Sequence, residues 1–194
     1  MSNLLNADQI KEAIERDDCP WPTVESSLKA LYRSGPKAQA DSLSDLAATA
    51  LEASGNFDGW LGVMEVRTSA SGESGSDWTA RVLKVIGSEW EQKALVEQAG
   101  FDSGISAGEA MRRLRLLRGL KEGAVCFDKT WGTGVVGKTD YFYKRVDIDF
   151  RKKRGHQLAL SYAAEKLLLL DEHHILYWRP QKPAELIDLV KSKP

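Results

Sequence analysis

The clearest match to a ligand-binding pattern is a glycine-rich run, Gly132-Thr133-Gly134-Val135-Val136-Gly137. Its GxGxxG spacing is that of the phosphate-binding turn in dinucleotide-binding folds, where the glycines follow a strand and open a helix. The residues that follow, 138–150, have the alternation of a strand, so the helix that would hold a pyrophosphate is missing. We therefore interpret the glycines as the corners of a small sheet.

The run Asp171-Glu172-His173-His174 has the residue types of a metal site. Adjacent histidines point in different directions on a helix or a strand, and no further ligand lies three or four residues away. We interpret this run as a solvated turn and predict no metal.

Asp147 and Asp149 lie on one face of a predicted strand, the arrangement of a carboxylate pair in acid–base catalysis. Arg145 and Arg151 flank them on that face. This pattern favours cross-strand charge pairing over catalysis.

The two cysteines, Cys19 and Cys126, are too far apart in sequence to form a CxxC pair, and histidine is too scarce to complete a zinc site around them. We expect both to be buried as small apolar residues. No nucleophile elbow and no Walker lysine is found. The sequence thus predicts a binding protein, not an enzyme, with no cofactor and no small-molecule substrate.

Charge divides the chain into two parts. Residues 1–110 carry 9 Lys and Arg against 18 Asp and Glu, and residues 111–194 carry 18 against 10, so net charges of −9 and +8 lie within a total of −1. This asymmetry indicates two modules, of which the basic one faces something anionic. The alternative is that the two halves attract each other, or that their solvated faces simply differ.

Two basic clusters carry much of the positive charge. The first is an amphipathic helix, Met111–Arg118, with a cationic face, and the second is a predicted loop, Arg151-Lys152-Lys153-Arg154-Gly155. Such clusters hold phosphates or acidic protein surfaces, although charged loops also serve solubility.

Aromatic residues accompany the second cluster, namely Trp131, Tyr141, Phe142 and Tyr143. Aromatic side chains at the mouth of a small barrel stack on bases or anchor a protein loop, but one or two of these four must fill the core. The predicted partner-binding residues are Trp131, Tyr141, Tyr143, Lys152, Lys153 and Arg154. The predicted nucleic-acid-binding residues are Arg112, Arg113 and Arg115.

The elements that must position these residues differ between the two halves. Apolar residues at helical spacing predict helices over 7–17, from 23 to the break at Gly35-Pro36, and over 42–53, 57–68, 77–86, 88–99 and 106–118. Asn6 or Asp8 is expected to cap the first helix, and Gly55 to end the third. Residues 69–76 are predicted to form a mobile loop. The pattern indicates helical-hairpin layers without the signature of a named repeat.

After Leu120 the pattern becomes that of strands. Short strands are predicted over 124–127, 134–137, 145–150, 158–160 and 167–170, with a turn at 162–166. Five short strands in about 55 residues are typical of a small SH3-like or Tudor-like β-barrel. The predicted fold class is therefore α+β, with helical layers followed by a barrel.

The predicted domains are a helical domain over 1–118, a barrel over 119–179, and a C-terminal helix or linker over 180–194. No run of about 18 apolar residues is present, and the first residues lack the pattern of a signal peptide. We therefore expect a cytoplasmic protein without membrane contact.

Several segments of the second half resemble, in order, a domain of the long GreA-type transcription elongation factors of chlamydiae and related bacteria. They are residues 120–136, 146–150, 152–156, 162–165 and 170–176, about a third of the chain. The first half is similar in layout to the helical extension that precedes that domain. More distantly, the second half resembles the Tudor-like domains of CarD-type regulators and of the UvrD helicase tail, which contact RNA polymerase.

The resemblance implies a role in transcription, with docking on RNA polymerase or on nucleic acid near it. Gre factors stimulate transcript cleavage with an acidic-tipped coiled coil, and these residues contain no such coiled coil, so cleavage is not expected. The chain is either a fragment of a longer factor or a relative that kept the docking part. The alternative function is direct nucleic-acid binding through Arg112–Arg118 and the basic loop.

Overall fold

A computed structural model describes residues 4–16 and 18–181. The chain divides into two compact units, Met1–Arg115 and Leu116–Pro194, called here the helical unit and the strand unit. The predicted boundary after residue 118 lies slightly beyond this division, and both positions fall within one helix, Ala107–Gly119. Of the predicted C-terminal helix or linker, residues 182–194 lie outside the described residues. The α+β class predicted from the sequence is confirmed.

The helical unit consists of helices of 8 to 17 residues joined by short connections. They are α1 Ala7–Ile14, α2 Trp21–Ser34, α3 Lys37–Ala53, α4 Phe57–Ser71, a short 3-10 helix Gly75–Trp78, α5 Thr79–Ile86, α6 Trp90–Ala99 and α7 Ala107–Gly119, which continues into the strand unit. The helix α2 begins two residues before its predicted start. Pro22 occupies its second position, where the missing N–H would have no helical partner.

The predicted helix ends are confirmed by their capping contacts. The Asn6 side chain accepts a hydrogen bond from the Gln9 N–H, and the Gln9 side chain accepts one from the Asn6 N–H, which makes a capping box at the start of α1. Gly55 follows α3 with φ +68°, the left-handed conformation that glycine adopts without strain.

The core of the helical unit lies between α2, α3 and α4. Its largest fully buried side chain is Trp60, whose indole N–H donates to Glu52 Oε1 at 2.9 Å. Apolar residues of the predicted stripes, including Val24, Leu28 and Leu51, are fully buried around the same region. Among the described residues, no helix is long and apolar enough to cross a membrane.

The predicted mobile loop at 69–76 is wrong. The helix α4 continues to Ser71, and the following backbone is bound to the segment before α7. Gly75 N donates to Ile105 O at 3.0 Å, and Ala107 N donates to Glu73 O at 2.8 Å. Serine and glycine are small enough for this close backbone approach. The composition of residues 69–76, which is typical of linkers, therefore allows this segment to pack against the segment before α7.

The strand unit contains an open antiparallel sheet with the order β4-β3-β2-β1-β5. Its elements are β1 Val125–Asp128, β2 Gly132–Asp140, β3 Arg145–Phe150, β4 Lys153–Ala159, α8 Leu160–Lys166, β5 Leu168–Leu170 and α9 Trp178–Gln181. Two predictions are corrected. The strand predicted at 158–160 corresponds to the end of the longer β4 and the first residue of α8, and the turn predicted at 162–166 lies in the helix α8.

The alternation predicted in β3 is confirmed, because Val146, Ile148 and Phe150 are all buried. The glycine-rich run lies within β2, and no helix follows it. Gly132 has φ +79°, and a Cβ on Gly134 would lie 2.6 Å from Ile148 Cγ2 and 2.7 Å from Phe150 Cδ1. These glycines therefore serve a left-handed turn and a close packing contact.

Candidate functional site

The predicted partner-binding residues lie at two opposite ends of the β2–β3 hairpin. Trp131 directly precedes β2 and lies near the β3–β4 turn, because the start of β2 pairs with the end of β3. Tyr141 and Tyr143 lie in the connection between β2 and β3. The strand between the two ends, β3, spans roughly 17 Å at about 3.3 Å per residue. We call residues 151–154 the cationic turn and residues 141–145 the aromatic tip.

The cationic turn is shorter than the predicted loop. Phe150 pairs with Lys153 in the sheet, so Arg151 and Lys152 make the turn, while Lys153 and Arg154 belong to β4. A register shift follows at Gly155, which has φ +58°. Gly155 N also donates to Asp149 Oδ1 at 2.6 Å. The backbone next to the turn is therefore stabilised by this hydrogen bond and by the positive φ that glycine allows.

All four cations of the turn are exposed. Within residues 4–16 and 18–181, none of them forms an ion pair. The Lys153 ammonium lies 5.5 Å from the centroid of the Trp131 ring, a cation–π contact. Four adjacent positive charges are therefore available to an anionic surface.

Trp131 packs beside the cationic turn, so its ring is only partly available to a binding partner. Its half-buried ring lies 4.4 Å from the His156 ring and 6.3 Å from the Phe150 ring. Its backbone N–H donates to Asp128 Oδ1 at 3.0 Å, and the Tyr162 hydroxyl donates to the other oxygen of that buried carboxylate. The sequence analysis missed His156, although a signal existed, because His156 lies two residues before the inward-facing Leu158 and therefore on the same face of β4.

The aromatic tip carries the most exposed aromatic rings of the described chain. Phe142 is 75% exposed and Tyr143 is 65% exposed, and their rings meet edge to face at 5.0 Å. The Arg145 guanidinium lies 5.0 Å from the Tyr143 ring centroid. Tyr141, which the sequence analysis selected, is half-buried. Phe142 takes its place as the candidate contact residue.

The backbone of the tip is held in one conformation. Tyr143 N donates to Asp140 Oδ1 at 2.9 Å, and Lys144 adopts φ +51°, unusual for a residue other than glycine. Leu160 N then donates to Lys144 O at 2.9 Å. These bonds fix the direction in which the two rings project.

The predicted nucleic-acid-binding arginines of α7 are ion-paired within the helical unit. Arg112 and Arg113 both bind the Glu109 carboxylate at 2.8 Å. The hydrogen bond from Arg112 is the largest reason why the pKa of Glu109 falls to about 2. These two arginines therefore have a partner four residues or fewer away.

Arg115 makes longer-range contacts. It binds both oxygens of Glu25 at 2.8 and 2.9 Å and approaches Glu65 Oε2 at 3.5 Å. Burial raises the pKa of Glu65 despite the nearby guanidinium. A Cβ on Gly62 would lie 2.3 Å from Glu25 Oε2, so glycine there leaves room for this cluster. The geometry gives Arg115 a structural role between α2, α4 and α7.

The histidine pair lies in a turn, as predicted. His173 N donates to Asp171 Oδ1 at 2.9 Å, and His174 Nδ1 accepts from Leu176 N at 3.2 Å. In the part of the chain that the structure describes, no group of three or more His, Cys, Asp and Glu side chains could hold a metal ion.

The predicted cross-strand charge pairing of Asp147 and Asp149 is wrong. Asp149 accepts from the Gly155 backbone, and Arg145 donates to Gln157 Oε1 at 3.2 Å. The cause is the register shift, which brings a backbone N–H opposite the carboxylate.

The two cysteines differ in burial. Cys126 is fully buried in β1, and burial raises the pKa of its thiol to about 12. Cys19 is half-buried, so the prediction of a buried cysteine is confirmed for Cys126 alone of the two.

Comparison of the chain with models of protein families, with curated proteins and with solved structures gave no match.

Proposed function

We propose that this chain is a non-enzymatic, cytoplasmic, transcription-associated module that docks on RNA polymerase through its strand unit. The proposal starts from the resemblance to the long GreA-type elongation factors. The longest segment of that resemblance, 120–136, covers β1 and the first part of β2, and 146–150 lies in β3. The resemblance is thus carried by consecutive strands that pair with one another.

The topology of the strand unit supports the finer fold that we propose, a small SH3-like or Tudor-like barrel. Four strands form a meander, β1 to β4, and β5 returns to pair with β1. A short helix, α8, connects β4 to β5. A sheet of five short antiparallel strands with this order needs only further curling to bring its two edges together.

The observation that carries the proposal is the cationic turn. Its four cations are exposed and lack ion pairs among the described residues, whereas the α7 arginines are paired. The strand unit carries 15 Lys and Arg against 10 Asp and Glu, and the helical unit carries 12 against 18. An acidic surface of the polymerase would complement the turn, and electrostatic attraction of this kind raises association rates.

The patterns that suggested catalysis have structural explanations. The glycine-rich run provides a turn and a packing contact, the histidine pair forms a turn, and Asp149 binds the Gly155 backbone. These contacts support the proposal that the chain is not an enzyme.

The test is a pull-down of purified bacterial RNA polymerase core enzyme with the tagged full chain. The triple variant Lys152→Glu, Lys153→Glu, Arg154→Glu should lose binding by at least tenfold, because three attractive contacts become repulsive. Wild-type binding should also weaken steeply between 50 and 200 mM salt, since exposed charges are screened.

The matched control reverses three exposed lysines of the helical unit, Lys29, Lys84 and Lys93, which gives the same change in net charge. This variant should bind like the wild type. If the two variants lose binding equally, net charge and not the turn determines the interaction. If wild-type protein does not bind the polymerase, the proposed function is wrong.

A further inference from the structure

The aromatic tip is a second surface whose features the proposed function does not use. It lies at the end of the β2–β3 hairpin opposite the cationic turn. Phe142 and Tyr143 are adjacent in sequence, and each exposes well over half of its side chain. Single exposed apolar residues are ordinary, but two neighbouring exposed rings lack the burial that normally stabilises large apolar side chains.

The rings contact neighbouring groups in spite of their exposure. The edge-to-face contact between them and the guanidinium of Arg145 over Tyr143 form one continuous group of three flat side chains. The hydrogen bond from Tyr143 N to Asp140 and the left-handed Lys144 set the backbone beneath them. Such preorganisation lowers the entropy that a binding partner would otherwise have to offset.

The charge at the tip indicates the chemistry of the partner. Lys138, Lys144 and Arg145 lie in or next to the tip, and the nearby carboxylate of Asp140 is engaged with the backbone. The partner should therefore combine anionic groups with flat, exposed apolar faces. Single-stranded nucleic acid has both, because its phosphates are anionic and its unpaired bases expose their faces, whereas a duplex hides those faces by stacking.

We propose that the aromatic tip binds single-stranded nucleic acid. One unpaired base stacks on Phe142, and the next base along the strand contacts Tyr143 and Arg145. Lys138 and Arg145 contact the adjoining phosphates. This inference does not depend on polymerase docking, because the residues involved are different and lie at the other end of the hairpin. A lipid surface is the competing partner, and the experiment below separates the two.

The test is fluorescence anisotropy of a fluorescein-labelled 12-nucleotide uridine RNA titrated with the full chain at 50 mM salt. The double variant Phe142→Ala, Tyr143→Ala should bind at least tenfold more weakly, because a stacking contact contributes about 1–3 kcal/mol per base. The conservative variant Phe142→Tyr, Tyr143→Phe should stay within about twofold of the wild type. Binding retained by this variant would show that the two aromatic rings are required and that the Tyr143 hydroxyl is not.

The matched control is Trp90→Ala, which removes a 57% exposed ring from the helical unit. It should leave RNA affinity unchanged. A uridine–adenine RNA duplex of the same length should bind at least tenfold more weakly than the single strand. An unchanged affinity of the double alanine variant, equal binding of duplex and single strand, or binding to phosphatidylglycerol vesicles without binding to RNA would each overturn the proposal.

Discussion

Two clusters of positive charge look alike in the sequence and differ in the structure. The α7 cluster, Arg112, Arg113 and Arg115, is bound to three glutamates of the helical unit. The cationic turn of the strand unit, 151–154, has no ion pair among the described residues. The arginines of the first cluster are engaged by glutamates, and Arg115 among them joins α7 to α2 and α4, whereas the second cluster is available to a partner. Charge density alone does not distinguish these two roles.

The difference follows from where the partners lie in the chain. Glu25 and Glu65 precede Arg115 by 90 and 50 residues, so no local spacing predicts their contact. In the cationic turn the nearest carboxylate, Asp149, is engaged by the Gly155 N–H instead. A basic cluster is therefore a candidate binding surface only after its acidic neighbours in the fold are known.

The largest effect should come from removing Arg115. The variant Arg115→Ala leaves Glu25 and Glu65 close together and partly buried, so the free energy of unfolding of the helical unit should fall by about 2 kcal/mol. Urea unfolding followed by far-UV circular dichroism measures this change. Lys152→Ala in the cationic turn is the control and should change stability by less than about 0.5 kcal/mol. Equal effects of the two variants would remove the distinction between the clusters.

A somewhat smaller effect on stability is expected in the cationic turn, whose structure depends on its backbone conformation and not on its cations. Gly155→Val places a β-branched residue at φ +58°, which should cost about 1–2 kcal/mol. Hydrogen exchange of β3 and β4 amides measures the loss. Gly137→Ala is the control, because its added Cβ would lie 3.5 Å from the nearest atom, Asp147 O, without a positive φ. Unchanged exchange in the Gly155 variant would contradict this account of the turn.

The α7 cluster should make the stability of the fold depend on pH through Glu109. Because the Arg112 and Arg113 bonds lower the pKa of Glu109 from 4.5 to about 2, the pair stabilises the fold fully above about pH 4.5 and is lost as the pH falls towards 2. In Glu109→Gln the decline of unfolding free energy over this interval should be shallower. Denaturant titrations at several pH values test this, and parallel curves for both proteins would show that Glu109 is not the titrating group.

The smallest expected effect is a difference in reactivity between the two cysteine thiols, one of which lies in each unit. Cys126 in the strand unit is buried with a pKa of about 12, so almost no thiolate is present at pH 7, while Cys19 in the helical unit is half-buried. N-Ethylmaleimide should modify Cys19 at least tenfold faster in the native protein, as measured by mass spectrometry. Equal rates would mean that β1 opens as readily as the segment around Cys19.

Sequence patterns predicted the elements with strong periodicity. The helix α1 with its Asn6 cap and the strand β3 with its alternation were found because the apolar spacing of each lies within a few residues. The predicted helix over 57–68 likewise matches most of α4. These local signals were enough to establish the α+β class.

Elements without a strong local period were missed. The first five of the seven residues of β4, Lys153-Arg154-Gly155-His156-Gln157, are polar because they form a sheet edge, and their pairing with β3 makes them a strand. The helix α8 is seven residues long, too short for a clear period. For the candidate site, the sequence pattern pointed to the aromatic residues at 141–143, but the choice between Tyr141 and Phe142 depended on which ring turns outward.

The central claim is that the arginines of the cationic turn are free to react and those of the α7 cluster are not. Its most direct test is labelling of the native full chain with phenylglyoxal, a reagent specific for arginine, followed by peptide mass spectrometry. The account predicts that Arg151 and Arg154 react at least tenfold faster than Arg113 and Arg115, whose guanidinium groups are bound to glutamates. Similar rates at the four arginines would contradict it, because both clusters would then be equally open to a partner.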